Sequence, residues 1–130
     1  MHPLRAAIEK GDMDAVPALL AGGVTFLSPV AFAPYEGRDM VTAILRGVMR
    51  VFEDFRYVRE IGDPDGRDHA LMFKARVGDR EIHGCDFLRH DEQGLIDEFC
   101  VMVRPLSGAN ALSEAMAAQF ETIKREAGRA

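Results

Sequence analysis

The sequence predicts an α+β fold, a curved antiparallel sheet forming a cone around helices, with a further helix at the C-terminal end. Three observations predict it. Apolar residues recur at steps of three and four up to about Phe52, and the period then changes to two. Three turn-forming stretches, Asp63-Pro64-Asp65-Gly66, Gly78-Asp79 and Asp91-Glu92-Gln93-Gly94, divide the alternating region into four strands near 55–61, 69–77, 80–89 and 95–104. Helical spacing returns with Leu112, Ala115, Met116, Phe120 and Ile123. Helices gathered on one side of a meander define the class.

The elements follow in order. Leu4, Ala7 and Ile8 sit at helical spacing and Gly11 ends that helix; Asp12 or Asp14 caps a second short helix that Gly22-Gly23 stops. Val24 to Ser28 reads as a strand, and 29–34 as a loop, because two prolines in six residues do not sustain a ladder. From Asp39, Val41, Ile44, Leu45, Val48 and Phe52 mark an amphipathic helix.

At 130 residues, with 48% hydrophobic and 28% charged side chains, the chain has the size and balance of one globular domain spanning 1–130. A formal net charge of -5 without a basic stripe excludes nucleic acid as an expected partner. No apolar run approaches the roughly 20 residues that span a bilayer, so no membrane association is expected. Two cysteines and an N-terminus without an apolar signal core are expected of a cytoplasmic protein with free thiols.

The turns also set registers. A two-residue loop at Gly78-Asp79 pairs Ala75 with Ile82, Phe73 with Gly84 and Leu71 with Asp86. A four-residue loop at 91–94 pairs Asp86 with Phe99 and Gly84 with Val101, and Cys85 with Cys100. Directly opposed residues share a face. Asp86 therefore lies on a wall of Leu71, Phe73, Ala75, Ile82, Leu88, Phe99, Val101 and Val103. The other face carries an apolar patch of Cys85, Phe87 and Met102, which is expected to be a homodimer contact through the convex side of the sheet. The two thiols are expected to be reduced neighbours.

These features resemble the nuclear transport factor 2-like superfamily, in its SnoaL-like and ketosteroid-isomerase-like branch. The resemblance covers roughly 4–104. It is carried by Gly11-Asp12, Ser28-Pro29-Val30 ahead of Tyr35-Glu36-Gly37-Arg38, Glu81 to Asp86, and Gly94-Leu95-Ile96. It implies the cystatin-like cone, a pocket at its open end, and frequent dimerisation. Asp86 matches the protonated aspartic acid of ketosteroid isomerases, which donates a hydrogen bond to the substrate oxygen. Their general base falls on Ser28, their first-helix tyrosine on Leu4, and a supporting tyrosine near Leu45. Serine without a neighbouring base does not move a proton, so a true ketosteroid isomerase is not expected. The epoxide hydrolases of this fold use carboxylates bridged by arginine, and no arginine lies on the face of Asp86 two residues before it. A cyclase using one acidic group in an apolar cone remains open.

A small apolar ligand is therefore expected in a pocket lined by Ser28, Tyr35, Leu45, Leu71, Phe73, Phe99 and Val101, with Asp86 as the single candidate catalytic group, a neutral acid. Two readings of Asp86 stand at this point: a donor aimed at a ligand, or a buried carboxyl satisfied by a backbone group, water or Tyr35. Ser28 reads equally as a turn residue. His83 is assigned to the convex face. His2, His69 and His90 lie at a terminus or beside turns and form no metal cluster with the acids, so no metal is expected. No glycine-rich phosphate loop occurs, and no organic cofactor is expected. Isomerase, cyclase or dehydratase chemistry, a non-catalytic binder and a dimeric scaffold are the competing functions.

Overall fold

The computed structural model describes residues 1–129. Helix α1 (Pro3–Glu9) opens with proline at its first position and His2 as cap, the imidazole accepting from the Leu4 amide. The second short helix is replaced by two 3₁₀ turns, Met13–Ala15 and Pro17–Leu19. Pro17 is the physical reason, because it has no N–H to continue the first turn. Strand β1 (Leu20–Leu27) then starts four residues earlier than expected and runs through Gly22-Gly23. The glycines do not stop a helix; they span an irregularity where the register between β1 and its neighbour shifts from Leu20 to Thr25. Just past the expected loop, β2 (Tyr35–Glu36) pairs with β1, Phe26 opposite Tyr35.

Helix α2 (Arg38–Val51) follows from Gly37, whose φ of 98° suits glycine alone. It buries Val41, Ala43, Ile44 and Leu45. The meander is β3 (Glu53–Ile61), β4 (Asp68–Val77), β5 (Arg80–His90) and β6 (Ile96–Arg104), and the chain ends in α3 (Leu106–Arg129). The sheet order is β2-β1-β6-β5-β4-β3, so the curved sheet is unclosed, with β2 and β3 at its edges. The meander is antiparallel throughout, whereas β1 lies parallel to β6.

The register at Gly78-Asp79 is as expected, with Leu71 opposite Asp86 and Phe73 opposite Gly84. The register of β5 with β6 is not. Asp86 faces Val101 and Gly84 faces Val103, because the turn extends through Leu95 and the pairing shifts once more between Arg89 and His90. Each of the two shifts moves the register by one residue. Their sum is even, so the faces are preserved, but Cys85 now lies opposite Met102 and Cys100 opposite Phe87. The two cysteines are free and are not the direct cross-strand pair that the four-residue loop implied.

Along β5 every second residue, Ile82, Gly84, Asp86 and Leu88, is buried. Helix α3 packs over the same face. Gly47 of α2 permits it to come close, since a methyl group there would stand 2.7 Å from the Ile123 Cδ1 atom. The core therefore sits between the concave face of the sheet and the helices α2 and α3.

Candidate ligand site

The concave face does not fill completely. An apolar cavity of about 220 Å³ remains between the sheet, α2, α3 and the 28–31 loop. One wall is an aromatic cluster. The Phe55 ring stacks on Phe73 with centroids 5.0 Å apart, Phe52 lies 5.6 Å from Phe73, and Tyr57 meets Phe55 edge-on at 4.9 Å. The tip of the Phe73 ring lies over Gly84, where a side-chain carbon would come within 2.7 Å of Cε2 and closer still to Cζ. Gly84 is thus what allows the aromatic wall to lie against the sheet.

Asp86 opens on this cavity with only 6% of its surface exposed. Burial pushes its pKa from 3.8 to about 7, and the one counteracting influence is the Tyr57 hydroxyl, which donates to Oδ2 at 3.1 Å. The Tyr57 hydroxyl is in turn held protonated, by its own burial first and by the adjacent carboxyl second. With the Tyr57 proton committed to Oδ2, a protonated Asp86 has its other oxygen left to donate to one ligand oxygen. Among the described residues, Asp86 and Tyr57 are the only carboxyl and phenol deep in the wall; Tyr35, half-buried, stands farther out beside Phe120 of α3, with ring centroids 6.4 Å apart.

Ser28 lines the cavity, but its Oγ also accepts from the amides of Val30 at 3.1 Å and Ala31 at 3.2 Å. The hydroxyl therefore shapes the loop while keeping its own proton to donate. Among the described residues lining the cavity no second carboxyl and no imidazole accompanies Asp86.

Of the expected lining residues, Ser28, Tyr35, Leu45, Phe73, Phe99 and Val101 are in the wall. Leu71 is not. It is fully buried opposite Asp86, packed in the solid part of the core, so sharing a sheet face with the cavity did not place it on the cavity. The partner of Asp86 is Tyr57, not Tyr35. Phe52, Phe55 and the α3 residues Leu112, Met116 and Phe120 complete the lining and were not anticipated as site residues. The α3 spacing had marked an apolar face; what it lacked was the element across from that face.

The three histidines set aside in the sequence do converge, around a second and separate cavity at the start of α1. Among the described residues no three His, Cys, Asp or Glu side chains are arranged to hold a metal ion. No described helix is long and apolar enough to cross a membrane.

Residues 4–99 match the family model for the SnoaL-like domain. The chain belongs to this family, within the nuclear transport factor 2-like superfamily. A steroid delta-isomerase from Pseudomonas aeruginosa is 44% identical, with a TM-score of 0.86 over 92% of this chain and 87% of that one. An uncharacterized cystatin-like-fold protein from Silicibacter pomeroyi is 40% identical, with a TM-score of 0.88 over 96% of this chain and 90% of that one. An epoxide hydrolase/cyclase-like enzyme of pyran ring formation in the polyether salinomycin shares the fold at 19% identity, with a TM-score of 0.63 over 79% of this chain and 85% of that one. No curated protein matches this chain.

Proposed function

We propose that this SnoaL-like protein binds a small, largely apolar molecule through one carbonyl or hydroxyl oxygen, and that Asp86 acts on that oxygen as a neutral acid. The observation that carries the reading is the Asp86–Tyr57 pair at the wall of an otherwise apolar cavity. A cavity of about 220 Å³ lies below the ~300–1,000 Å³ of drug-sized ligand sites, so the ligand class is compact, such as a cyclic ketone or enone. The chemistry that fits is isomerisation, cyclisation or dehydration, in which polarising one oxygen lowers the barrier. The steroid delta-isomerase from Pseudomonas aeruginosa supports this class of reaction. A true ketosteroid isomerase is not proposed, because the position of the base is Ser28, engaged with two amides.

A non-catalytic metabolite-binding protein is the second reading, favoured by the same lack of a base in the wall. A homodimer through the convex face accompanies either reading. Phe87 and Met102 are 44% and 58% exposed there, as diagonal neighbours on β5 and β6. A cytoplasmic setting suits the two free thiols, whose pKa values burial pushes up and which are therefore poor nucleophiles.

The test is a set of small cyclic ketones and enones, scored for binding by ligand-observed NMR and for turnover by product analysis, with wild type and Asp86→Asn. A catalyst loses turnover far more than affinity in the variant; a binder loses affinity alone. Unchanged binding and turnover in Asp86→Asn removes Asp86 from the site.

A further inference from the structure

A second cavity, of about 470 Å³, lies where α1 begins, and His2, His69 and His90 meet there. Their ring centroids are 5.0 to 5.1 Å apart in all three pairs. The hydrogen-bond partners assign every tautomer. His2 Nδ1 accepts from the Leu4 amide at 3.0 Å, so the ring proton of His2 is on Nε2. That atom is 3.0 Å from His90 Nε2, which is bare because His90 Nδ1 gives its proton to the Arg67 carbonyl at 3.1 Å. His69 donates from Nε2 to the Gly66 carbonyl at 2.9 Å, leaving Nδ1 without a proton. His2 and His90 thus share one proton along their 3.0 Å contact, with their outer nitrogens engaged by the Leu4 amide and the Arg67 carbonyl. The same assignment denies a metal ion the Nε2 lone pair of His2.

One more proton has no comfortable place on the His2–His90 pair. On His2 Nδ1 it meets the Leu4 N–H, and the cap of α1 is lost. On His90 Nε2 it meets the His2 N–H across 3.0 Å. The neighbouring charges divide. Arg5 of α1 and Arg67 of the β3–β4 turn oppose a further positive charge. Glu60 of β3 favours it, accepting from the His2 amide at 3.0 Å and standing 3.6 Å from Arg5. Asp65 on the β3–β4 turn, and Asp91 and Glu92 on the β5–β6 turn, lie around the rim.

We propose that the His2–His90 contact is a proton-operated latch on helix α1, closed while the imidazoles are neutral, and coupled to the apolar cavity through Ile8, which α1 places in that cavity's wall. The electrostatics agree in direction. Burial first, then His90 and His69, pull His2 from 6.5 down to about 4, against the smaller raising influence of Glu60. A released His2 regains an ordinary pKa, so protons bind the open form. The latch is at full strength above about pH 6.5 and weakens as the pH falls from there through about 4. From those two values the opening equilibrium of α1 rises about 30-fold between pH 7.5 and pH 5.

Amide hydrogen exchange across α1, corrected for intrinsic rates, reads this directly. The expected result is a fall of about 30-fold in α1 protection from pH 7.5 to 5, with the Ile8 δ-methyl resonance moving on the same profile and no fall at the Phe73 and Phe99 amides, where proton uptake by folded Asp86 offsets the His2 linkage. His2→Asn keeps a side-chain oxygen for the Leu4 amide and cannot titrate, so its α1 protection is expected to be flat with pH. The wild-type fall must also persist in Asp86→Asn, because Asp86 titrates in a neighbouring range. Flat protection in the wild type, a retained fall in His2→Asn, loss of the fall in Asp86→Asn, or simultaneous loss at Phe73 and Phe99 each overturns the latch. An unmoved Ile8 methyl overturns its coupling to the cavity.

Discussion

Replacing Asp86 by asparagine changes how stability depends on pH, and the size of the change follows from the site. The folded carboxyl has a pKa near 7, raised from 3.8 by burial and only partly opposed by Tyr57. Unfolded, it returns to about 3.9. The folded state therefore holds the proton more tightly, and stability contributed by the neutral acid is fully present below about pH 4. It is lost as the pH rises through 7. At 1.36 kcal/mol per unit the full window is worth about 4 kcal/mol, of which about 3 kcal/mol falls between pH 4.5 and 8. Asparagine is nearly isosteric, still accepts from Tyr57, and does not titrate. Urea unfolding of both proteins at pH 4.5, 6, 7 and 8 isolates the effect, because other titrating groups cancel in the difference. The variant gains on the wild type steadily over this range. A difference that stays flat within 0.5 kcal/mol, on the order of the error of such measurements, shows a carboxyl that ionises alike in both states, and the dry site with a neutral donor is refuted.

Three shorter predictions follow from the same geometry. Tyr57→Phe removes the one group that favours ionised Asp86; a hydrogen bond to a charged group is worth about 1.5–3 kcal/mol, so the Asp86 pKa rises by one to two units above about 7 in carboxyl-carbon NMR, and a fall contradicts the assignment. Gly84→Ala sets a methyl against the Phe73 ring and costs about 1–3 kcal/mol in denaturant unfolding; a neutral substitution shows that the aromatic wall can give way. Phe87→Lys with Met102→Lys leaves a folded monomer in a sedimentation run at micromolar concentration where the wild type is a dimer, and a monomeric wild type removes the convex interface.

Most of the fold was legible because hairpin turns carry register information. Gly78-Asp79 placed Asp86 opposite Leu71 with no reference to distant parts of the chain. The errors were local irregularities. The β5–β6 slip amounted to two residues, an even number, so Asp86 kept its face although each of its neighbours on β6 changed. Tyr57 shows the opposite case. Counting back from a four-residue turn at 63–66 would set Tyr57 against Met72 on the convex side. The actual pairing is with Phe73, because the β3–β4 register shifts between Tyr57 and Arg59. One extra residue turned the phenol inward, and nothing in the composition of the strand announces it. The histidine cluster was hidden for another reason: His2, His69 and His90 come together only when α1 docks on the sheet, and separations of 67 and 21 residues give no periodic signal.

Ser28 separates the two functional readings most sharply, because its surroundings already suit a base. The amides of Val30 and Ala31 point at its Oγ from 3.1 and 3.2 Å, the arrangement by which an aspartate would form the equivalent turn. In Ser28→Asp one carboxylate oxygen would take those amides and the other would be left at the cavity. Two amide hydrogen bonds favour the ionised form, while Asp86, across the same cavity, stays protonated up to about pH 7. The variant then holds an ionised base and a neutral acid on one ligand, the division of roles that moving a proton alpha to a carbonyl requires. Exchange of alpha protons of a small cyclic ketone into deuterium oxide, followed by NMR at pH 6, is expected to rise by 10²–10⁴-fold over the wild type, the usual contribution of one positioned acid–base group. The gain must vanish in Ser28→Asp combined with Asp86→Asn if both groups address the same oxygen-bearing ligand. A folded Ser28→Asp protein that binds the ketone and shows no acceleration means that Ser28 and Asp86 do not face one bound molecule, and the non-catalytic reading then holds.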